Sequence, residues 1–175
     1  VGQSVPRVEG YDKVTGRAEY TDDIDLHGMT YAKVYCSPVA HGIIKKVDVS
    51  KAKEYPGVLD VIVGEEYPKK YSVNDLLPTE TPLAVDKVRY FGEGLAAVVA
   101  ISEQIAAEAL ALIDVEIEEL PALVNAHDSE ASADNLIHDF AKNNTNHTAE
   151  QHFGDVDDAL AKSDVVVEET FYTSM

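Results

Sequence analysis

Apolar and polar residues divide this chain into short segments, most with the two-residue period of strands and a few with the 3.6-residue period of helices. Residues 29–36 (MTYAKVYC) alternate around Lys33. Residues 43–49 (IIKKVDV) follow a Pro- and Gly-containing loop, 37–42 (SPVAHG), so both segments read as strands. Ser50 can cap a helical turn over 51–55, which Pro56 and Gly57 end. Residues 58–63 (VLDVIV) and 95–101 (LAAVVAI) are nearly continuous apolar runs, the pattern of buried strands. Ser102 stands as N-cap, with Glu103 at the positive end, of an alanine-rich helix over 104–112. Residues 113–120 alternate, with Ile113, Val115 and Ile117 on one face and Asp114, Glu116 and Glu118 on the other.

The remainder is less regular. Residues 1–28 are turn-rich and predict an extended leader with short strands at most. Residues 65–82 hold Pro68, Pro78 and Pro82 without periodicity, and so long a connection in a compact domain is usually functional or mobile. Residues 121–151 read as loop with one helical turn near 128–132. Asp155 caps a helix within 154–163 whose inner face is Val156, Ala159 and Leu160, and residues 164–172 read as a last strand. The succession predicts an α+β domain, a mixed sheet with a few short helices.

Composition narrows the function classes. The chain has 175 residues, 45% of them hydrophobic, which suits a globular core. Its net charge is −18 and unevenly spread. Residues 1–90 hold 12 basic and 14 acidic side chains; residues 91–175 hold 18 acidic ones against Lys142 and Lys162. Nucleic-acid binding and docking on an anionic membrane both need clustered Lys and Arg, so neither fits. An acidic excess ordinarily serves solubility. The single Cys36 allows no internal disulfide and no thiolate cage, which fits a reducing, cytoplasmic setting. No apolar run approaches the roughly 20 residues of a membrane helix. A first residue Val1 and a β-forming last segment read as the cut ends of a longer polypeptide.

The residues offer little self-contained chemistry. Gly92-Glu93-Gly94 precedes a strand and opens no helix, so it is no phosphate loop. Asp22, Asp23 and Asp25 fail the calcium-loop spacing, because His27 and Lys33 stand where Gly and Glu are needed. The six histidines show no i, i+4 pair and read as solvent-exposed loop residues, except His41, which reads as hydrogen-bonded to nearby backbone. Cys36 reads as a small buried hydrophobe. No catalytic, cofactor-binding or metal-ligating residue is predicted.

Five phrases in register carry a resemblance: VTGRAEYTDDI (14–24), SPVAH (37–41), PLAVDKVRYFGEGLAAVVA (82–100), IAAEALALIDVEIEELPA (105–122) and GDVDDALAKSDVVVEETFYT (154–173). Together they resemble the start of the molybdenum-binding subunit of the xanthine dehydrogenase / aldehyde oxidase family, which includes 4-hydroxybenzoyl-CoA reductase. The chain departs from the family pattern at Val39, where relatives commonly carry His, and at Gly94, where they often carry Pro. The resemblance implies an α/β hammerhead domain over 29–124, after the leader 1–28. Residues 125–175 would be a linker and the truncated start of the molybdopterin-binding domain. It implies an oxidoreductase that hydroxylates an N-heterocycle or aldehyde with oxygen from water, or dehydroxylates an aryl-CoA. Molybdenum-molybdopterin would be bound outside this fragment, with [2Fe–2S] and FAD in partner subunits or domains. The implied partners are the rest of the same subunit and the iron–sulfur and FAD subunits. Leu76 and Leu77 fall in the loop that lines the substrate funnel in family members and are the candidate funnel residues.

The reading adopted is therefore a scaffold domain of a molybdenum hydroxylase, inactive alone. Its alternative is a free-standing acidic protein-binding or assembly module without catalysis. A small enzyme using Cys36 or His41 is the third and weakest reading.

Overall fold

The structure, a computed structural model, describes residues 2–72 and 79–173. Among the described residues six strands form two three-stranded antiparallel sheets, β1 (Tyr31–Cys36), β2 (Gly42–Asp48), β3 (Val58–Val63), β4 (Lys87–Val88), β5 (Gly94–Ala100) and β6 (Asp114–Glu119). The first sheet has the order β1-β5-β3 and the second β4-β2-β6. Helices α1 (Gly10–Thr15), α2 (Ser50–Lys53), α3 (Glu103–Leu110), α4 (Ala126–Ala131) and α5 (Val156–Ala161) complete the α+β architecture.

The main core lies between the first sheet and α3. Register sets Lys33, Val98 and Val61 in one cross-strand row, and Tyr35, Ala96 and Val63 in the next on the same face. Val61, Ala96, Val98 and Ala100 are fully buried there against Ala52, Ala106 and Ala109. Alanine on both surfaces lets α3 approach the sheet closely. Ser102 begins this helix as expected, its hydroxyl accepting from the Ile105 N–H at 3.3 Å. Ser102→Ala is expected to cost about 1 kcal/mol, and Ser102→Asp to restore most of it, read by thermal denaturation.

A second cluster joins the sheets. Leu95, Val88 and Ala84 are buried together, with Tyr35, Ile44, Val115 and Ile117 packed on them. β6 shows the expected alternation, Val115 and Ile117 half-buried and its acidic residues exposed. Its charge is opposed as well as screened. Lys46 faces Glu116 across the ladder, and Lys45, at an irregularity in β2, pairs with Glu118.

Several expectations are corrected. Within 1–28, expected to be extended, α1 forms and Thr21–Asp23 make a 3-10 turn; Asp23 accepts the Tyr20 N–H at 2.9 Å. Ser50 is not the cap of α2. Its N–H and hydroxyl both donate to Asp48 Oδ1, at 3.0 and 2.6 Å. Lys46 first, then Ser50, holds the Asp48 carboxyl well below the usual range. The run 58–63 is not buried throughout: Ile62, on the face away from α3, is 37% exposed, and Leu59, at a bulge between Val58 and Asp60, is 55% exposed. α5 forms with Asp155 as its cap, but its expected inner face is exposed. Residues 164–173 are no strand: the segment is exposed and pairs with no ladder, which a strand requires to satisfy its backbone.

Candidate functional site

The short strand β4 positions the site. Ile43 and Gly42 of β2 pair with Lys87 and Val88. Val88 turns into the core, so Lys87 and Arg89 share the opposite side. There they meet the loop 136–140. Lys87 is 8% exposed, and its ammonium donates to Asp139 Oδ1 at 2.7 Å and the Leu136 carbonyl at 3.2 Å. Asn144 holds the same loop from behind, its Oδ1 accepting from the Ile137 N–H and its Nδ2 donating to the Ser129 and Asn135 carbonyls.

Between these pieces lies a cavity of about 470 Å³, lined by Pro68, Lys70, Thr79, Thr81, Arg89 and His138 among others. Arg89 is the most constrained of them. Its Nη1 donates to the Lys87 carbonyl at 2.9 Å and its Nη2 to Asp86 Oδ1 at 3.2 Å, while its Nε is buried without a partner. Its backbone N–H donates to Glu93 at 2.5 Å. Burial nevertheless raises the Glu93 carboxyl above its ordinary range. His138 lies 5.5 Å from the Phe140 ring, tilted by 39°. Burial lowers its pKa, and the Arg89 and Lys87 charges lower it further.

Lys87 depresses the Asp139 carboxyl. A depressed folded-state pKa stabilises once the unfolded carboxylate is ionised, and that contribution disappears as pH falls through the folded value. The Asp139 side chain is 78% exposed, so the effect is screened. Asp139→Asn is therefore expected to cost less than about 1 kcal/mol at neutral pH. The difference from the parent chain should vanish in acid, checked by urea titration across pH.

The predicted site residues fare unevenly. Leu76 and Leu77 lie outside the described residues. Their loop closes on a Tyr71–Glu80 bridge, with hydrogen bonds of 2.8 and 3.0 Å, and Lys70 and Thr79 near that neck line the cavity. His41 is 2% exposed and its Nδ1 donates to the Pro121 carbonyl at 3.0 Å, the backbone role expected. Cys36 is exposed, not buried, because it sits on the bare face of the first sheet. His138, expected in solvent, is half-buried in the cavity wall. The signal for this wall was present in DKVRY, where two cations flank a valine at alternate positions.

A second concavity, about 590 Å³, lies on that bare face and is lined by Val34, Ile62, Tyr67, Pro82, Leu83 and Ala97. Among the described residues no helix is long and apolar enough to cross a membrane.

Two small antiparallel sheets with a capped helix across one of them define an α+β hammerhead. Residues 15–121 match the family described as aldehyde oxidase and xanthine dehydrogenase, a/b hammerhead domain. The chain belongs to this family of molybdenum-containing oxidoreductases. It is 35% identical over 165 residues to a probable xanthine dehydrogenase subunit of Bacillus subtilis, covering 94% of this chain and 22% of that one. It is 32% identical over 173 residues to the nicotinate dehydrogenase large molybdopterin subunit of Eubacterium barkeri, covering 99% and 40%. The aldehyde oxidoreductase from Desulfovibrio gigas superposes with a TM-score of 0.71 at 29% identity, over 78% of this chain and 16% of that one. The chain thus spans well under half of each of these relatives.

Among the described residues no cluster of three or more His, Cys, Asp or Glu could hold a metal ion.

Proposed function

We propose that this chain is the scaffold domain of a molybdenum hydroxylase subunit of the xanthine dehydrogenase type, without catalysis of its own. The parent reaction is hydroxylation of an N-heterocycle or aldehyde carbon with oxygen from water, or reductive dehydroxylation of an aryl-CoA. Residues 29–124 are the hammerhead, 1–28 its leader, and 125–175 the passage into a molybdopterin-binding domain. The remainder of the subunit holds the molybdenum cofactor, and iron–sulfur and FAD subunits carry electrons away from it in a hydroxylation or to it in a reductive dehydroxylation. The assembly is cytoplasmic, which a single unpaired cysteine suits. Leu76 and Leu77 line the substrate approach.

The observation that carries this reading is the family match over 15–121, supported by 94% coverage of this chain in one named dehydrogenase subunit. The first sheet supports the scaffold role. Val34, Ile62 and Ala97 form one apolar row on the face away from α3, and Val34 is 49% exposed. An apolar sheet face of this kind suits coverage by further protein. The acidic-module alternative gains nothing from β6, whose charges Lys45 and Lys46 partly oppose.

The test is deletion of this coding region in its native host, followed by a panel of N-heterocycles, aldehydes and aryl-CoA thioesters in ¹⁸O-water. Loss of one oxygen-incorporating or dehydroxylating activity, restored by the intact gene, supports the reading. Retention of every such activity overturns it.

A further inference from the structure

The cavity behind β4 has a chemistry that the scaffold role does not use. Its volume, about 470 Å³, falls in the range of small-molecule sites. One wall is aromatic: Phe140 is 58% exposed, with the His138 ring 5.5 Å from it. The lining also carries two cations, Lys70 and Arg89, beside the carboxylates of Asp86 and Asp139.

The cations there have unused capacity. A guanidinium carries five N–H donors. Arg89 commits one from Nη1 to the Lys87 carbonyl and one from Nη2 to Asp86. Each Nη therefore keeps one N–H; the Nε–H is buried out of reach of solvent and offers nothing to a ligand. Lys70 also lines the cavity and makes no ion pair among the described residues. The two carboxylates on the lining are already engaged, Asp86 by Arg89 and Asp139 by Lys87.

We propose that this cavity binds a planar aromatic molecule bearing one carboxylate. The ring would lie against Phe140 and His138, and the carboxylate would take the spare Arg89 donors with Lys70 alongside. A carboxylate matches a guanidinium edge better than a neutral amide does, because both its oxygens accept and the hydrogen bonds are charge-assisted. An aliphatic carboxylate would lose the aromatic wall, and an uncharged aromatic would lose the cations. The site goes beyond the molybdenum reading. Binding to this chain can be present in an assembly without molybdenum, and absent from one that has it, so the two fail separately.

Benzoate is the probe, titrated into the intact protein that carries this chain and followed by the NMR signals of selectively labelled His138 and Phe140 rings. Benzoate is expected to shift both rings and to bind about tenfold more tightly than benzamide or acetate. Arg89→Gln should weaken it about tenfold and Lys70→Gln about threefold, with benzamide binding unchanged. Added salt should weaken benzoate and leave benzamide unaffected. Lys70→Gln keeps the test open if Arg89→Gln perturbs folding, because Lys70 is exposed and holds no ion pair among the described residues. Equal affinity for benzoate and benzamide, no shift of either ring, or full benzoate affinity in Lys70→Gln would overturn the proposal.

Discussion

Gly64→Ala is expected to destabilise the fold by more than about 3 kcal/mol, enough to lower Tm by roughly 6–12 °C or to prevent folding. Gly64 is buried where β3 ends, and residues 83–84 cross directly over it. A Cβ built at this position lies 2.2 Å from the Ala84 carbonyl oxygen and 2.8 Å from that of Leu83. Both contacts are backbone, so no side chain can rotate away. Residues 83–84 cannot retreat cheaply either, because Ala84 is buried in the cluster that joins the sheets and its N–H donates to the Gly94 carbonyl at 2.7 Å. Gly10→Ala is the control. Its Cβ meets only Arg7 Cβ at an ordinary 3.5 Å in a helix, so its stability should be unchanged or slightly raised.

Leu95→Ala should be nearly as costly, about 2–5 kcal/mol in chemical denaturation. Leu95 is fully buried, and it is the largest apolar side chain in the cluster where the two sheets meet. Its removal leaves a cavity bordered by Val88, Ile44, Val115 and Ile117, which their own ladders hold in place. Leu59→Ala removes the same atoms from an exposed position of β3 and should cost less than about 1 kcal/mol. A Leu59 effect as large as that of Leu95 would mean that the bulge at Leu59 is covered in the isolated chain.

That contrast locates what the chain made legible. Period and capping placed the elements of both sheets well. The run 58–63 is a strand at the residues expected, Ser102 and Asp155 cap the helices behind them, and the alternation at 113–120 assigns faces correctly. These are local signals, decided within one element by side-chain spacing and an N-terminal hydrogen bond. Burial was less legible, because it depends on what packs on the second face. VLDVIV and MTYAKVYC are apolar enough for a strand covered on both sides, but α3 covers only one. Cys36 and Ile62 are exposed for the same reason. A β-forming composition at 164–172 could not make a strand without an edge to pair with.

The cavity was the hardest feature to read. Its walls come from residues about fifty positions apart, Lys87 with Asp139 and Arg89 with His138. No spacing in the sequence announces that pairing. The loop before PLAVDKV was singled out by resemblance through Leu76 and Leu77. Leu76 and Leu77 lie outside the described residues, while Lys70 and Thr79, beside the Tyr71–Glu80 bridge, line the cavity.

The central claim concerns the assembly to which this domain belongs. Its most direct test is to purify the native complex that carries this chain, through an affinity tag, and to measure its metals by mass spectrometry. The account predicts about one molybdenum per copy of the chain, with iron and flavin co-purifying. A pure, active complex that contains this chain and no molybdenum would contradict it.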